Sequence, residues 1–137
     1  MKYDLNDIDG AIVDLLKARE KNNNSYEISF KLGECWAKKG DLKEAKKYFR
    51  FATGDDPSNP QAFYQLAGVN VALKKYKNAI DIYNEVIDLE PKSGNAYLNR
   101  GMCHARERDI EKACEDWKKA AELGSQEAET LVTNQCK

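Results

Sequence analysis

The sequence repeats with a period of 34 residues, and this period constrains the fold more than any other feature. An alanine recurs once in each copy, and an aromatic side chain follows it at a constant distance. The alanines are Ala45, Ala79 and Ala113, and the aromatics are Phe49, Tyr83 and Trp117. A second small residue precedes each alanine, at Gly33, Ala67 and Gly101. Self-similarity at this spacing indicates a stack of equivalent supersecondary units.

Gly33 indicates what each unit is. It lies inside the helical stretch "KLGECWAKKGDLKEAKKYF", where glycine costs roughly 1 kcal/mol relative to alanine. A chain accepts that cost where two helices cross so closely that a larger side chain would force them apart, at about 1–3 kcal/mol. The aromatic side chain of the second helix then fills the space beside the small residue. Each unit is therefore predicted to be an antiparallel pair of helices.

Capping residues indicate where the helices begin and end. The predicted N-caps are Ser25, Asn59, Ser93 and Ser125. Gly40 is predicted to end one helix directly before Asp41 begins the next. The predicted helices span 7–21, 26–39, 42–54, 60–73, 76–89, 94–107, 110–123 and 126–136. No stretch shows sustained strand alternation, so the fold class is predicted to be all-α.

The period, the small and aromatic positions, and Pro57 and Pro91 between units resemble the tetratricopeptide repeat. The resemblance covers about 26–124 and implies a right-handed α-solenoid of antiparallel helix pairs in one domain, 1–137. Its parts would be a half repeat (1–24), three full repeats (26–59, 60–93 and 94–124) and a capping helix (125–137). The segment "ACEDWKKAAELGSQEA" also resembles the Sel1-like repeat. Arg100 departs from the pattern, because leucine precedes the small residue in the first two copies.

The resemblance implies a curved stack whose first helices line a concave groove. Helical spacing selects residues that would face it, and most of them are apolar. The predicted groove residues are Phe30, Glu34, Tyr64, Gln65, Gly68, Val71, Leu98, Asn99 and Met102. We interpret this groove as a docking surface for a peptide or a helix of a partner protein. The alternative is that Phe30, Tyr64 and Leu98 pack between neighbouring repeats.

Some members of the resembled family hold the C-terminal carboxylate of chaperones with lysine, arginine and asparagine side chains. Here Phe30, Asn95 and Asn99 stand where the resemblance would place the basic residues. A carboxylate favours cationic partners. We therefore expect no tight binding of chaperone tails.

Composition argues against several other functions. There are 22 Lys and Arg against 23 Asp and Glu, and a net charge of −1 lacks the basic excess of a nucleic-acid binder. The apolar runs are too short for membrane insertion. The single histidine, His104, shares a core-type series with Trp36, so we interpret it as a packing residue and expect no enzyme and no cofactor. The cysteines lack the short spacing of a zinc site, so no metal is expected.

Two further segments predict how one helix surface is charged and where the protein is located in the cell. The basic cluster of Lys38, Lys39, Lys43, Lys46 and Lys47 has acidic residues interspersed. That mixture favours a solvated, salt-bridged helix surface over an anion site. The start, "MKYDLNDIDG", lacks the apolar core of a secretory signal. A cytoplasmic location is therefore expected.

Cys114 and Cys136 lie at similar distances on either side of a predicted turn at Gly124 and Ser125. In an antiparallel pair of helices they could come within disulfide range, about 4.4–6.8 Å between Cα atoms. A cytosolic chain normally keeps its thiols reduced, so the bridge is a hypothesis at this point.

Two alternative functions remain open. The helix over 7–21 would lack the usual first helix of its repeat, so it could mediate a homodimer or dock an assembly through Ile12 and Leu16. The other alternative is an enzyme-accessory or redox-sensing role through Cys114 and Cys136.

Overall fold

The computed structural model describes residues 5–21 and 25–137, and this part of the chain forms eight α-helices and no strand. The helices are α1 (Leu5–Lys21), α2 (Tyr26–Lys39), α3 (Leu42–Asp55), α4 (Pro60–Ala72), α5 (Tyr76–Leu89), α6 (Gly94–Arg106), α7 (Ile110–Glu122) and α8 (Gln126–Gln135). The predicted all-α fold class is confirmed, and every predicted helix end lies within two residues of the observed one. Residues 1–4 and 22–24 of the predicted half repeat lie outside the described residues.

Side-chain caps begin the helices where the sequence predicted them. Ser25 Oγ accepts a hydrogen bond from the backbone N–H three residues later at 3.3 Å. Ser93 and Ser125 accept equivalent bonds at 3.2 and 3.1 Å, and Asn59 Oδ1 accepts one from the N–H two residues later at 3.0 Å. These bonds satisfy N–H groups that the first turn of a helix leaves without partners. The four predicted N-caps are confirmed.

The turn inside each helix pair contains a residue in the left-handed conformation. Gly40, Lys74 and Arg108 recur at the repeat period and have φ angles of 87°, 61° and 65°. Glycine adopts this conformation freely, whereas a side chain disfavours it by roughly 1–2 kcal/mol. In two of the copies the next residue, Asp41 or Asp109, caps the following helix at 3.1 Å.

The chain divides into two compact units, and the division lies inside α4, between Val69 and Asn70. We call the described residues up to Val69 unit 1, and residues from Asn70 to Lys137 unit 2. Each unit has an apolar cluster of its own.

In unit 1, the first three helices share one core. Ile8 and Ile12 of α1 pack with Leu32 of α2 and Tyr48 of α3, and none of the four is more than 7% exposed. Gly33 lies directly against the next aromatic residue, because a Cβ placed on it would come within 2.6 Å of the Phe49 ring. The predicted close helix crossing at this glycine is confirmed.

In unit 2, α7 lies between α6 and α8. The buried core consists of Leu98 from α6, Ala113, Trp117 and Ala120 from α7, and Ala128 from α8. Gly101 repeats the crossing seen in unit 1, since a Cβ there would come within 2.7 Å of the Trp117 ring. Leu131 and Val132 of α8 pack partly buried against this core, so α8 covers the outer side of α7.

Candidate functional site

The predicted docking residues of α2 occupy one side of unit 1. Phe30 is half-buried, stacks on Tyr26 with ring centroids 5.6 Å apart and meets Phe49 edge-on at 5.5 Å. Glu34 lies one turn further along α2 and is exposed. The aromatic residues therefore fix Phe30 in place while part of its ring stays accessible.

The predicted docking residues of α4 lie along the same unit. Tyr64 and Gly68 are one turn apart, so they share a face of the helix. Tyr64 is half-buried, whereas Gln65 and Gly68 are exposed. Nothing lies within 4 Å of a Cβ built on Gly68. Tyr26 of α2 lies beside the backbone of Ala62, which places α2 and α4 next to each other. We call the surface formed by Phe30, Glu34, Tyr64, Gln65 and Gly68 the α2–α4 face.

The remaining predicted residues belong to unit 2. Met102 is 37% exposed on α6, while Val71 and Asn99 are half-buried. Leu98 is 7% exposed and packs in the core with Trp117. Leu98 therefore contributes to packing, as the alternative interpretation had it, in a core formed by α6, α7 and α8.

A polar cluster that sequence analysis missed lies on α6 and α7 of unit 2. Arg100 donates to both oxygens of buried Asp116, from Nε at 2.9 Å and from NH2 at 2.6 Å. Its NH1 donates to Asn84 Oδ1 at 2.8 Å, and His104 Nε2 lies 3.7 Å from Asp116 Oδ2. The hydrogen bond to Asp116 raises the pKa of Arg100, while burial lowers the pKa of His104. The sequence signals for this cluster were Arg100, which replaces a leucine, and His104, which stands in the series of Trp36.

The cysteines fall into two classes. Cys114 and Cys136 are joined in a disulfide, with Cα atoms 5.8 Å apart, and this links α7 to α8. Cys103 is buried and carries a free thiol, and burial raises its pKa to about 11. Burial also raises the pKa of the half-buried Cys35. Both free thiols are therefore held in the protonated form, which is a poor nucleophile.

The α1 helix has an intramolecular partner. Ile8 and Ile12 are buried in the unit 1 core, and Leu16 packs partly buried against it. The core therefore covers Ile12, whereas Leu16 stays partly exposed, and the hypothesis that α1 mediates a homodimer or docks an assembly stays a prediction. Val13 is a large apolar side chain of α1 that remains exposed, at 49%.

Two features of the described residues bear on other functions. No group of three or more histidine, cysteine, aspartate or glutamate side chains in this part of the chain could hold a metal ion. No described helix has both the length and the apolar character needed to cross a membrane.

Comparisons with known proteins agree with the helical repeats. Residues 4–86 match the family described as "Anaphase-promoting complex, cyclosome, subunit 3". DnaJ homolog subfamily C member 3 from Bos taurus is 31% identical over 107 residues, which cover 78% of this chain and 21% of the relative. The chain thus spans about a fifth of the length of the curated relatives it matches first.

Two solved structures share the fold. The crystal structure of MamA has a TM-score of 0.81 at 24% identity, and the match covers 90% of this chain and 77% of MamA. The first tetratricopeptide domain of Spaghetti (RPAP3), bound to the HSP90 peptide SRMEEVD, has a TM-score of 0.73 at 24% identity. That match covers 79% of this chain and 87% of the other. The predicted tetratricopeptide-like repeat is confirmed, whereas none of these matches is to a Sel1-like protein.

Proposed function

The chain belongs to the family of anaphase-promoting complex, cyclosome, subunit 3, and from that premise we propose that it is a non-catalytic interaction module. Its α2–α4 face binds a peptide or a helix of a partner protein. The solved relative with a bound HSP90 peptide supports peptide recognition by this fold.

One observation carries the proposal, and it is the glycine in the middle of α4. Glycine costs an exposed helix about 1 kcal/mol relative to alanine. Gly33 and Gly101 have an internal reason for that cost, because an aromatic ring lies against each. Gly68 has none, since the space around its Cβ position is open. Gly10 and Gly54 are open as well, and Gly68 differs from them in sharing a helix face with Tyr64. A small residue at an open position allows another chain to approach the helix backbone closely.

The aromatic residues around Gly68 provide the contact area. Tyr64 lies one turn before Gly68, and Phe30 presents part of its ring from α2. Aromatic anchors of this kind often dominate the binding energy of protein interfaces. Phe30 is already held by Tyr26 and Phe49, so little side-chain freedom is lost when a partner binds.

The occupant is proposed to be apolar or neutral. The positions that would need cations to hold a carboxylate tail carry Phe30, Asn95 and Asn99. Without a cation beside it, a buried carboxylate would lose its hydration and gain no charge-assisted hydrogen bond to replace it. An amphipathic helix with anchors one turn apart matches the spacing of Tyr64 and Gly68 better than a carboxylate tail does.

The test uses peptides of about 12 residues selected from a random library on the wild-type chain, with affinity measured by fluorescence polarisation. Tyr64→Ala should weaken binding about tenfold, which is about 1.4 kcal/mol. Gly68→Leu should also weaken binding, because it fills the open space with a side chain. The far-ultraviolet circular dichroism of both variants should match that of the wild type.

Gly54→Leu is the matched control, because Gly54 is also an exposed helical glycine with nothing within 4 Å of its Cβ position. It should leave affinity unchanged. Selected peptides that bind Tyr64→Ala and Gly68→Leu as tightly as the wild type would exclude the α2–α4 face.

A further inference from the structure

A basic pocket lies on α3 of unit 1, away from the residues of the α2–α4 face. It has a volume of about 400 Å³ and is lined by Lys43, Lys46, Lys47, Arg50 and Phe51. These positions follow the spacing of one helix face. Four cationic side chains therefore surround one apolar ring, and we call this site the α3 pocket.

Phe51 is the aromatic side chain that lines the α3 pocket, and its neighbours hold its ring in place. Phe51 is 40% exposed, and the guanidinium carbon of Arg19, from α1, lies 4.3 Å from its ring centroid. Phe51 also packs against Tyr48 with ring centroids 5.9 Å apart. Lys47 Nζ lies 5.2 Å from the Tyr48 ring. The exposed ring of Phe51 thus lies between the guanidinium of Arg19 and the ring of Tyr48 and does not swing freely into solvent.

Charge is concentrated at this site, although the chain carries a formal net charge of −1. Glu44 Oε2 approaches Lys47 Nζ at 3.8 Å, and both side chains are substantially exposed. An exposed pair at that distance contributes at most about 1 kcal/mol, so a competing carboxylate could displace Glu44. The pocket therefore presents an excess of positive charge.

The repeat itself does not require this composition. At the positions one period after Lys47, Arg50 and Phe51 the chain has Asp81, Asn84 and Glu85. One period further it has Glu115, Lys118 and Lys119. The equivalent helices thus fold with acidic, neutral or basic residues at these positions. Of these three equivalent helices, only α3 has an aromatic residue at the position of Phe51, next to its cations.

We propose that the α3 pocket binds an acidic peptide segment of a partner protein, with carboxylates on either side of one apolar side chain. The apolar side chain would stack on Phe51, and the flanking carboxylates would pair with Lys47 and Arg50. Arginine pairs with carboxylates through two parallel hydrogen bonds. The volume suits one or two side chains, at the lower end of the usual range for binding pockets.

A peptide fits the site better than a nucleic acid does. Nucleic-acid binding needs cations spread along a backbone, and here four of them surround one ring. Acidic residues also border the cluster, at Asp41 and Glu44. Nucleic-acid binding is therefore the competing outcome of the test.

The test titrates the labelled peptide acetyl-EEDFEELD into the wild-type chain and follows fluorescence polarisation. The double variant Lys47→Glu, Arg50→Glu should weaken binding at least about tenfold, and Phe51→Ala about threefold. Raising NaCl from about 50 mM to about 500 mM should weaken binding as well, because salt screens exposed charges. The neutral peptide acetyl-QQNFQQLN should not bind.

The matched control is Lys118→Glu, Lys119→Glu, which makes the same charge change on α7, where Lys118 is equivalent to Arg50 and Lys119 to Phe51. It should leave affinity within about twofold of the wild type. Equal loss in both double variants would overturn the proposal in favour of unspecific attraction. Tighter binding of a single-stranded DNA of about 12 nucleotides, lost in the α3 variant, would overturn it in favour of nucleic acid.

A measurement on the unaltered chain guards against variants that fail to fold. In an amide NMR titration, the acidic peptide should shift resonances of residues 43–51 and leave those of Tyr64 and Gly68 in place. Shifts centred on the α2–α4 face, or no shifts at about 1 mM peptide, would overturn the proposal. The result is independent of whether that face binds its own partner.

Discussion

Arg100 and Asp116 form a two-bond ion pair at the positions that Leu32 and Tyr48 occupy two repeat periods earlier. In unit 1, Leu32 and Tyr48 belong to the apolar core. The surroundings change in the same way, because His104 replaces the packed Trp36. The equivalent contact between paired helices is thus made by apolar side chains in unit 1 and by hydrogen-bonded polar side chains in unit 2.

Because Arg100 and Asp116 replace an apolar pair, we expect their contributions to the free energy of unfolding to be coupled. Arg100→Leu should lower the free energy of unfolding by about 3 kcal/mol, because it leaves the buried carboxylate of Asp116 without its cation. Arg100→Leu combined with Asp116→Tyr, which introduces the unit 1 pair, should recover more than half of that loss. Urea denaturation at pH 7 measures both values. A double variant whose loss equals the sum of the single ones would show that the pair is not coupled.

The same cluster predicts a pH dependence through His104. Burial lowers the pKa of His104 below its usual 6.5, and the positive charges of Arg100 and Lys112 lower it further, while the carboxylates of Asp116 and Asp109 oppose the shift. As pH falls below about 6.5, the unfolded chain takes up a proton at this residue before the folded chain does. Stability should therefore decrease over this range and be fully present above it.

The measurement compares the free energy of unfolding at about pH 7.5 and about pH 5.5 in the wild type and in His104→Gln. The variant should lose less stability on acidification than the wild type. Identical losses would mean that burial of this imidazole has no effect on the pH dependence.

Much of the fold could be predicted because its signals are local. A serine cap such as Ser93 needs only the N–H of the third residue after it. Likewise, Gly33 and Phe49 belong to one hairpin, so the period alone indicates that they meet. The turn residues Lys74 and Arg108 were missed, because neither residue type marks a left-handed conformation.

The polar cluster could not be predicted for a different physical reason. Arg100 and Asp116 each look like a surface residue when considered alone, and their pairing depends on how α6 packs on α7. Leu98 illustrates the same limit at the predicted docking surface. Both Leu98 and Asn99 were assigned to the predicted groove, but in the structure Leu98 is buried in the core and Asn99 is half-buried.

Two helical glycines at crossings and one at an open position should respond in opposite ways to substitution by alanine. Gly33→Ala and Gly101→Ala should each destabilise the chain by about 1–3 kcal/mol, because the new Cβ would press on the ring of Phe49 or Trp117. Gly68→Ala should stabilise it by about 0.5–1 kcal/mol, since α4 gains helix propensity without a clash. Thermal denaturation followed by circular dichroism gives the sign of each change. Destabilisation by Gly68→Ala would contradict an open surface at that position.

The disulfide between Cys114 and Cys136 predicts that the local stability of α8 depends on the oxidation of these two cysteines. The bridge spans 22 positions, and closing a loop of that length stabilises the folded state by about 3 kcal/mol. Ala128 is the one fully buried side chain of α8, and Leu131 and Val132 add only partly buried contacts with the core. Reduction, or Cys136→Ser, should therefore speed amide hydrogen exchange in 126–135 and leave exchange in α2 and α3 unchanged.

Thiol labelling of the denatured chain shows which state is present before exchange is measured. Without reductant two cysteines should react, Cys35 and Cys103, and after reduction all four should react. In the folded chain Cys103 should stay unlabelled, because it is buried and its pKa is raised to about 11. Cys35→Ser is the control that removes a thiol without touching α8, and its exchange in 126–135 should match the wild type. Equal exchange in the oxidised and reduced chains would mean that the apolar contacts of Ala128, Leu131 and Val132 hold α8 without the bridge.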